Sequence, residues 1–238
     1  MATNTKRRGF MKAGAGLGGG IAAVSFAHAF GMVDSAMAAH DKMDDVATIA
    51  NLAATAETLA ATSYYNTIVN NPIGYSANIL LYFRYALSSE IYHLEVLESL
   101  GGRALANRFY VPARFLSDLA TNNATFEAAE TAFTGAYLAA TRRFAELGNP
   151  RLAATTAQHA ATEAEHLALQ RMSGGKVPNP NALPAPIYYN VSDALPTLAP
   201  FLSAGTGFIG PVEFPGKDAC RRVAGVTAFP VPTFLGVF

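Results

Sequence analysis

Two Glu-x-x-His motifs hold the residues of this sequence that are best suited to chemistry. They are Glu90 with His93 and Glu163 with His166. Residues i and i+3 share one face of a helix, so each motif presents a carboxylate oxygen and an imidazole nitrogen to a common point. Such donors suit divalent first-row metal ions. The composition predicts roughly 0.2 motifs of this kind by chance, so two at matching places favour a function.

The two motifs belong to an internal repeat with an offset of 73 residues. Each half has a first glutamate, a tyrosine seven residues later, and a Glu-x-x-His motif that begins 33 residues after the first glutamate. The first glutamates are Glu57 and Glu130, and the tyrosines are Tyr64 and Tyr137. Helical rise places all four glutamates about 20–27 Å from the nearest turns, so we expect them at one level of a helical core.

Four carboxylates and two imidazoles at one level of a helical core can bind two divalent metal ions, leaving open positions for oxygen or peroxide. Glu57 is the only charged residue between Asp45 and Arg84, and a buried carboxylate needs either a metal or a proton to neutralise it. A glutamate hydrogen-bonded to a neighbouring hydroxyl is the simpler alternative, but the matched second half favours metal. The candidate ligands are Glu57, Glu90, His93, Glu130, Glu163 and His166.

Four other residues are candidates for supporting these ligands. Tyr64 and Tyr137 lie two turns after their glutamates, where they could donate hydrogen bonds, carry a radical or pack in the core. Glu127, one turn before Glu130, is an additional carboxylate of the site or part of a solvated face. His159, two turns before His166, is expected beside the ligands or at the surface.

The elements that must position these residues are four long helices. The first pair is joined by Asn71-Pro72 and the second pair by Gly148-Asn149-Pro150, whereas the long connection 103–123 separates the pairs. This order predicts an all-α fold, a four-helix bundle with one long crossover, in residues 39–172. The helices are predicted from the caps Asp44 and Asp45 to Asn70, from Tyr75 to Leu100, from Ala124 to Leu147 and from Arg151 to Met172.

The C-terminal residues 173–238 differ in composition from the helical part, because they hold ten of the thirteen prolines. No further long helix fits there. The segment also carries many aromatic residues, too many for a disordered linker. We therefore expect an irregular tail that packs on the helices or on a neighbouring subunit.

Residues 1–38 have the pattern of an export signal. Arg7-Arg8 precedes Gly9-Phe10 and a weakly apolar stretch rich in glycine and alanine, which resembles a twin-arginine signal peptide. Ala36-Met37-Ala38 suits a signal peptidase, so cleavage is expected before Ala39, with an uncleaved anchor helix as the alternative. The twin-arginine machinery would then deliver the protein to the periplasm or the outside of a bacterial cell.

Composition excludes several classes of protein. The 17 basic and 17 acidic side chains leave no positive excess for nucleic acid. The single cysteine, Cys220, excludes an internal disulfide and a four-cysteine metal centre within one chain. The nearly uncharged first helix needs a cover on its outer face, either from the tail or from another subunit, so a homo-oligomer is expected.

The order Glu, Glu-x-x-His, Glu, Glu-x-x-His on four helices resembles the ferritin-like superfamily. The Glu-x6-Tyr elements, the export signal and the proline-rich tail are most similar to the exported ferritin-like proteins related to plant desiccation-related proteins. The resemblance implies the six ligands named above, with either Glu90 and Glu163 or Glu57 and Glu130 as bridging carboxylates. It also implies two iron ions, or alternatively two manganese ions, and a small-molecule oxidant, oxygen or hydrogen peroxide.

Three functions remain open from the sequence. The first is an oxidoreductase of the ferroxidase, peroxidase or catalase-like kind. The second is a non-catalytic envelope or stress protein with a structural or relict metal site. The third is an assembly protein that binds copies of itself through its tail.

Overall fold

The computed structural model describes residues 43–228 and 230–236. The predicted export signal and its cleavage site before Ala39 lie outside the described residues. The described part is predominantly helical, which confirms the all-α class at this coarse level. Its elements are α1 (Val46–Asn70), α2 (Ala77–Ser99), β1 (Arg108–Pro112), α3 (Leu119–Glu146), α4 (Pro150–Ser173), a 3₁₀ helix (Val191–Ala194), α5 (Leu195–Leu202), β2 (Phe208–Glu213) and α6 (Lys217–Ala224).

Polar side chains set the starts of the long helices. The Asp45 carboxylate accepts a hydrogen bond from Thr48 N at 2.7 Å, and the Asn149 side chain accepts one from Leu152 N at 3.1 Å. Both bonds satisfy amide groups that have no partner within the helix. No helix among the described residues combines the length and the apolar character that a membrane span requires.

Helix α3 begins earlier than the sequence indicates, at Leu119 instead of Ala124. Asp118 caps it by accepting a hydrogen bond from Thr121 N at 2.8 Å. The following Thr-Asn-Asn sequence forms helices poorly in isolation. Here Asn122 is buried, accepts a hydrogen bond from the Tyr75 hydroxyl at 2.7 Å and donates one to the Phe115 carbonyl at 3.0 Å. Tertiary contacts therefore override the weak local propensity.

Helix α1 buries most of its length although it carries many hydroxyl groups. Thr58 and Thr62 donate to the carbonyl oxygens four residues earlier, each at 2.7 Å, and Ser63 does so at 2.8 Å. Because these hydroxyls are satisfied inside the helix, they need no water. The crossover covers part of the same helix, where Leu105 N donates to Thr55 Oγ1 at 2.9 Å.

The helices of each repeat pack against each other, α1 with α2 and α3 with α4. The two pairs then meet through contacts of α1 with α3 and of α2 with α4. Each first glutamate therefore lies on a helix that faces the first helix of the other repeat. This arrangement brings both halves of the repeat to a common interior.

The crossover and the tail contain regular structure that the sequence analysis missed. Strand β1 of the crossover pairs antiparallel with β2 of the tail, with Phe109 opposite Val212. The expectation of an irregular tail is not confirmed, since the described tail forms the 3₁₀ helix, α5, β2 and α6, whereas residues 174–190 have no helix or strand. Strands of five and six residues have too few alternating positions to stand out in the sequence.

The described part of the tail packs on the helices of its own chain. Arg84 of α2 donates from Nη1 to the carbonyl oxygens of Val223 and Ala224, at 2.6 and 3.2 Å, where α6 ends. At the other end of the helices, Ser192 N donates to the Asp44 carboxylate at 2.8 Å. These contacts place tail segments over both α2 and the start of α1.

Candidate metal centre

The six candidate ligands meet in the interior, although they come from four different helices. Helices α1 and α3 supply one glutamate each, and α2 and α4 supply one Glu-x-x-His motif each. None of the six residues exposes more than 5% of its surface. The structure thus brings together Glu57, Glu90, His93, Glu130, Glu163 and His166.

The ligand atoms fall into two overlapping groups of four. In each group, one nitrogen or oxygen atom per residue lies within 4.8 Å of the others, a spacing that could hold a metal ion. Glu90 and Glu163 belong to both groups, so two metal ions could share these carboxylates. The groups are Glu57, Glu90, His93 and Glu163, and Glu90, Glu130, Glu163 and His166.

The two groups have nearly the same geometry. His93 Nδ1 lies 3.0 Å from a Glu163 oxygen, 3.3 Å from Glu90 and 3.6 Å from Glu57. His166 Nδ1 lies 3.0 Å from a Glu90 oxygen, 3.3 Å from Glu163 and 3.9 Å from Glu130. Exchange of the two halves maps one set of contacts onto the other. The sequence repeat is therefore an approximate two-fold symmetry of the site.

Several buried carboxylate oxygens of the site make no well-aligned hydrogen bond among the described residues, although an imidazole nitrogen lies close to some of them. They are Glu57 Oε2, Glu130 Oε2, Glu163 Oε1 and both oxygens of Glu90. Buried polar atoms without partners cost free energy, and the cost is largest for charged groups. A divalent cation would satisfy these oxygens. The donor set of carboxylates and imidazoles therefore fits divalent first-row metals.

The outer glutamates of the site favour protonation when no cation is present. Burial, and next the Glu163 carboxylate, raise the pKa of Glu57 and of Glu130 well above the usual value. Burial also acts to raise the pKa of Glu163, but hydrogen bonds from His166 and His93 outweigh it and hold that pKa well below its usual value. Protons therefore bind to the outer carboxylates in preference to Glu163.

The histidines favour the charged form. Burial acts to lower their pKa values, but the Glu57 carboxylate for His93 and the Glu90 carboxylate for His166 outweigh it and raise both well above the usual value. For Glu90, burial and Glu163 act to raise the pKa, yet the two imidazoles lower it overall.

The repeat tyrosines hold the glutamate of the opposite half. Tyr64 Oη donates to Glu130 Oε1 at 2.6 Å, and Tyr137 Oη donates to Glu57 Oε1. The sequence spacing predicts each tyrosine near the glutamate of its own half. In the structure each tyrosine reaches the glutamate of the other half because α1 and α3 face each other. Of the roles left open, the structure supports hydrogen bonding to the ligands.

Two polar residues beside the site were missed by the sequence analysis. Tyr82 Oη lies 3.2 Å from Tyr64 Oη, and Gln170 Nε2 donates to the same hydroxyl at 3.3 Å. Gln170 follows His166 by four residues and so lies on its face of α4, a signal that was available. Tyr82, eight residues before Glu90, carried no comparable signal.

His159 and Glu127 have different surroundings from the ligands. His159 is buried. Its ring centroid lies 4.5 Å from that of His93 and 4.9 Å from that of Tyr137. It belongs to neither group of four ligands. Burial, and next the charge of His93, lower its pKa to about 4, so the ring is neutral near pH 7. Glu127 also belongs to neither group of four, and it pairs with Arg171 Nε at 3.2 Å.

Comparisons of the chain with known protein families, curated proteins and solved structures find no match. The assignment of the site therefore rests on its residues and their geometry. Four buried glutamates and two buried histidines form a group that could hold metal ions.

Proposed function

We propose that this chain is a ferritin-like four-helix bundle that binds a di-nuclear metal centre, with two iron ions favoured and two manganese ions as the alternative. One observation carries the proposal: two groups of four ligand atoms share Glu90 and Glu163. Shared carboxylates of this kind hold two ions close together in helical di-metal proteins. The iron preference comes from the resemblance of the ligand order to the ferritin-like superfamily.

The side chains around the centre support a redox function. Two iron or manganese ions bound there would exchange electrons with oxygen or hydrogen peroxide at positions that the side chains leave open. Glu90 and Glu163 would hold the pair of ions, and the tyrosine hydrogen bonds fix the orientation of Glu57 and Glu130. The buried surroundings exclude bulk water from the ligands. The proposed activity is therefore oxygen- or peroxide-dependent oxidation of the ferroxidase, peroxidase or catalase-like kind.

Oxidant consumption tests this activity with a matched pair of variants. Protein loaded with ferrous or manganous ion under argon is mixed with oxygen or with hydrogen peroxide, and consumption is followed with electrodes. We expect turnover in the unaltered chain and in Glu127→Ala, which removes a carboxylate of the same helix outside the site. Glu130→Ala should lose turnover because its group of ligands is incomplete. Unchanged turnover in Glu130→Ala would refute the proposal, and a metal-loaded protein without turnover would support the structural alternative.

Export and self-association complete the proposal. The arginine pair and the small residues before Ala39 support delivery by the twin-arginine route, which moves folded proteins and suits a protein that binds metal before export. An intact mass that begins at Ala39, measured in the envelope or secreted fraction of the native host, is the expected result. Full-length protein confined to the cytoplasm would contradict it.

The homo-oligomer stays a prediction, and light scattering of the purified protein tests it.

A further inference from the structure

An apolar cavity lies between α1 and α3, beneath the tail segment 191–201. Its volume is about 670 Å³, which includes space open to solvent. Alanines on both helices, among them Ala53 and Ala129, leave the room that larger side chains would fill. Leu195, Leu198 and Phe201 of the tail close the third side.

The cavity shares a wall with the candidate metal centre. The side chain of Tyr137 lines the cavity, and its hydroxyl donates a hydrogen bond to Glu57. Ala56, the neighbour of Glu57, lines the same space. A molecule in the cavity would therefore lie one side chain away from a candidate ligand of the metal.

The lining defines the chemistry of an occupant. No charged side chain lines the cavity in the described part of the chain, and the hydroxyl of Thr197 is paired with Tyr188 Oη at 3.0 Å. Ordered water needs two to four polar partners, which this lining does not supply. A peptide segment would bring amide groups that it could not satisfy. An uncharged hydrocarbon has no polar groups to satisfy, so it avoids the cost that water or a peptide would incur in this cavity.

We propose that this cavity binds an uncharged organic molecule with an alkyl body. Binding uses apolar contacts alone, so it requires no metal and does not depend on the proposed redox function. The alanines of α1 and α3 set the width of the site, and the tail residues form its cover. The ligand gains free energy by removing its hydrocarbon surface from water.

A single indole introduced in the wall reports directly on binding. The chain has no tryptophan, so Phe201→Trp supplies the only indole fluorophore, at the cavity lining. The metal-free full chain is titrated with 1-bromooctane, whose bromine quenches indole fluorescence on contact. We expect saturable quenching by 1-bromooctane and none by the charged 3-bromopropanoate. Quenching that rises linearly without saturation would overturn the proposal.

Two neighbouring alanines of α3 provide the matched control in the same background. Ala129 lines the cavity whereas Ala128 does not, and both are half-buried and close to Glu130. Ala129→Phe fills the cavity and should weaken binding of 1-bromooctane by about tenfold or more, since several methylene contacts are lost. Ala128→Phe should retain the affinity. Equal affinity in the two variants would place the probe elsewhere and overturn the proposal.

A substitution at the rim keeps the proposal testable if Ala129→Phe does not fold. Leu195 lines the cavity and is 40% exposed, so Leu195→Glu adds a charge at the mouth without burying it fully. Leu183→Glu, at a residue 79% exposed and outside the lining, is its control. Weaker quenching in Leu195→Glu alone is expected. Identical binding curves for the two rim variants would contradict the assigned location.

Discussion

Tyr64 and Tyr137 each donate a hydrogen bond to one oxygen of a glutamate in the opposite half of the repeat. The second oxygen of each glutamate, Oε2, has no hydrogen-bond partner among the described residues. A hydroxyl that fixes one oxygen also fixes the direction of the other. The tyrosines therefore orient Glu57 and Glu130 toward Glu90 and Glu163, as the proposed metal centre requires.

Removal of one tyrosine hydroxyl should weaken metal binding. Tyr137→Phe leaves the ring in the core but no longer holds Glu57, and loss of such an orienting group typically costs about 10–100-fold in metal affinity. Competition with a chromophoric chelator measures the change. Tyr85→Phe, at an exposed tyrosine of α2, is the control and should retain full affinity. Equal affinities for both variants would show that the hydrogen bond does not orient the ligand.

The pKa shifts of the site predict that the metal-free protein loses stability as pH rises. Folding raises the pKa of both outer glutamates and both histidines, so the folded state binds more protons than the unfolded state. Their stabilising contribution is complete below the unfolded-state pKa values and is lost as pH rises through the folded-state values. The pKa values of Glu90 and Glu163 are lowered on folding, so these two residues destabilise the protein as pH falls into strong acid.

Thermal unfolding with and without metal measures this dependence. With chelator present, the Tm should fall as pH rises from the unfolded-state pKa values of these glutamates and histidines toward their raised folded-state values. Bound metal, which replaces the protons, should remove the fall. Circular dichroism at 222 nm is the readout. Parallel Tm curves for metal-free and metal-loaded protein would contradict the account.

At the scale of elements, the helices could be predicted because their signals are local and long. Turn residues and caps define their ends within a few residues, and Asp45 caps α1 as the sequence indicates. The start of α3 could not be predicted, since Asn122 is helical through its contacts with Tyr75 and Phe115, which are distant in sequence or outside the helix. The β1–β2 pair likewise depends on two short segments between which all of α3 and α4 lies.

The contact between α2 and α6 offers a test at this scale. Arg84→Ala removes two hydrogen bonds from a half-buried guanidinium to the end of α6, and it should lower the free energy of unfolding by about 2 kcal/mol. Arg114→Ala, at a side chain 71% exposed, should leave it nearly unchanged. Urea unfolding provides the values, and faster proteolysis within residues 217–224 should accompany Arg84→Ala. Equal stability of both variants would contradict the packing of the tail on α2.

At the scale of the whole molecule, the internal repeat made the candidate site predictable. Identical spacings in two halves predict six candidate ligands at one level without knowledge of any tertiary contact. Which glutamates are shared, and which tyrosine holds which glutamate, depends on how the two halves face each other. The apolar cavity depends on the path of the tail over α1 and α3. The shared glutamates, the tyrosine partners and the cavity are therefore not encoded in local spacing.

Metal content per chain tests the central claim most directly. The full chain, Glu127→Ala and Glu130→Ala are loaded with ferrous or manganous ion under argon, freed of excess ion and analysed by mass spectrometry. The account predicts about two ions per chain in the unaltered chain and in Glu127→Ala, and the loss of at least one ion in Glu130→Ala. The reason is that Glu130 belongs to a group of four ligands whereas Glu127 does not. No bound metal above the buffer blank in the unaltered chain would contradict it.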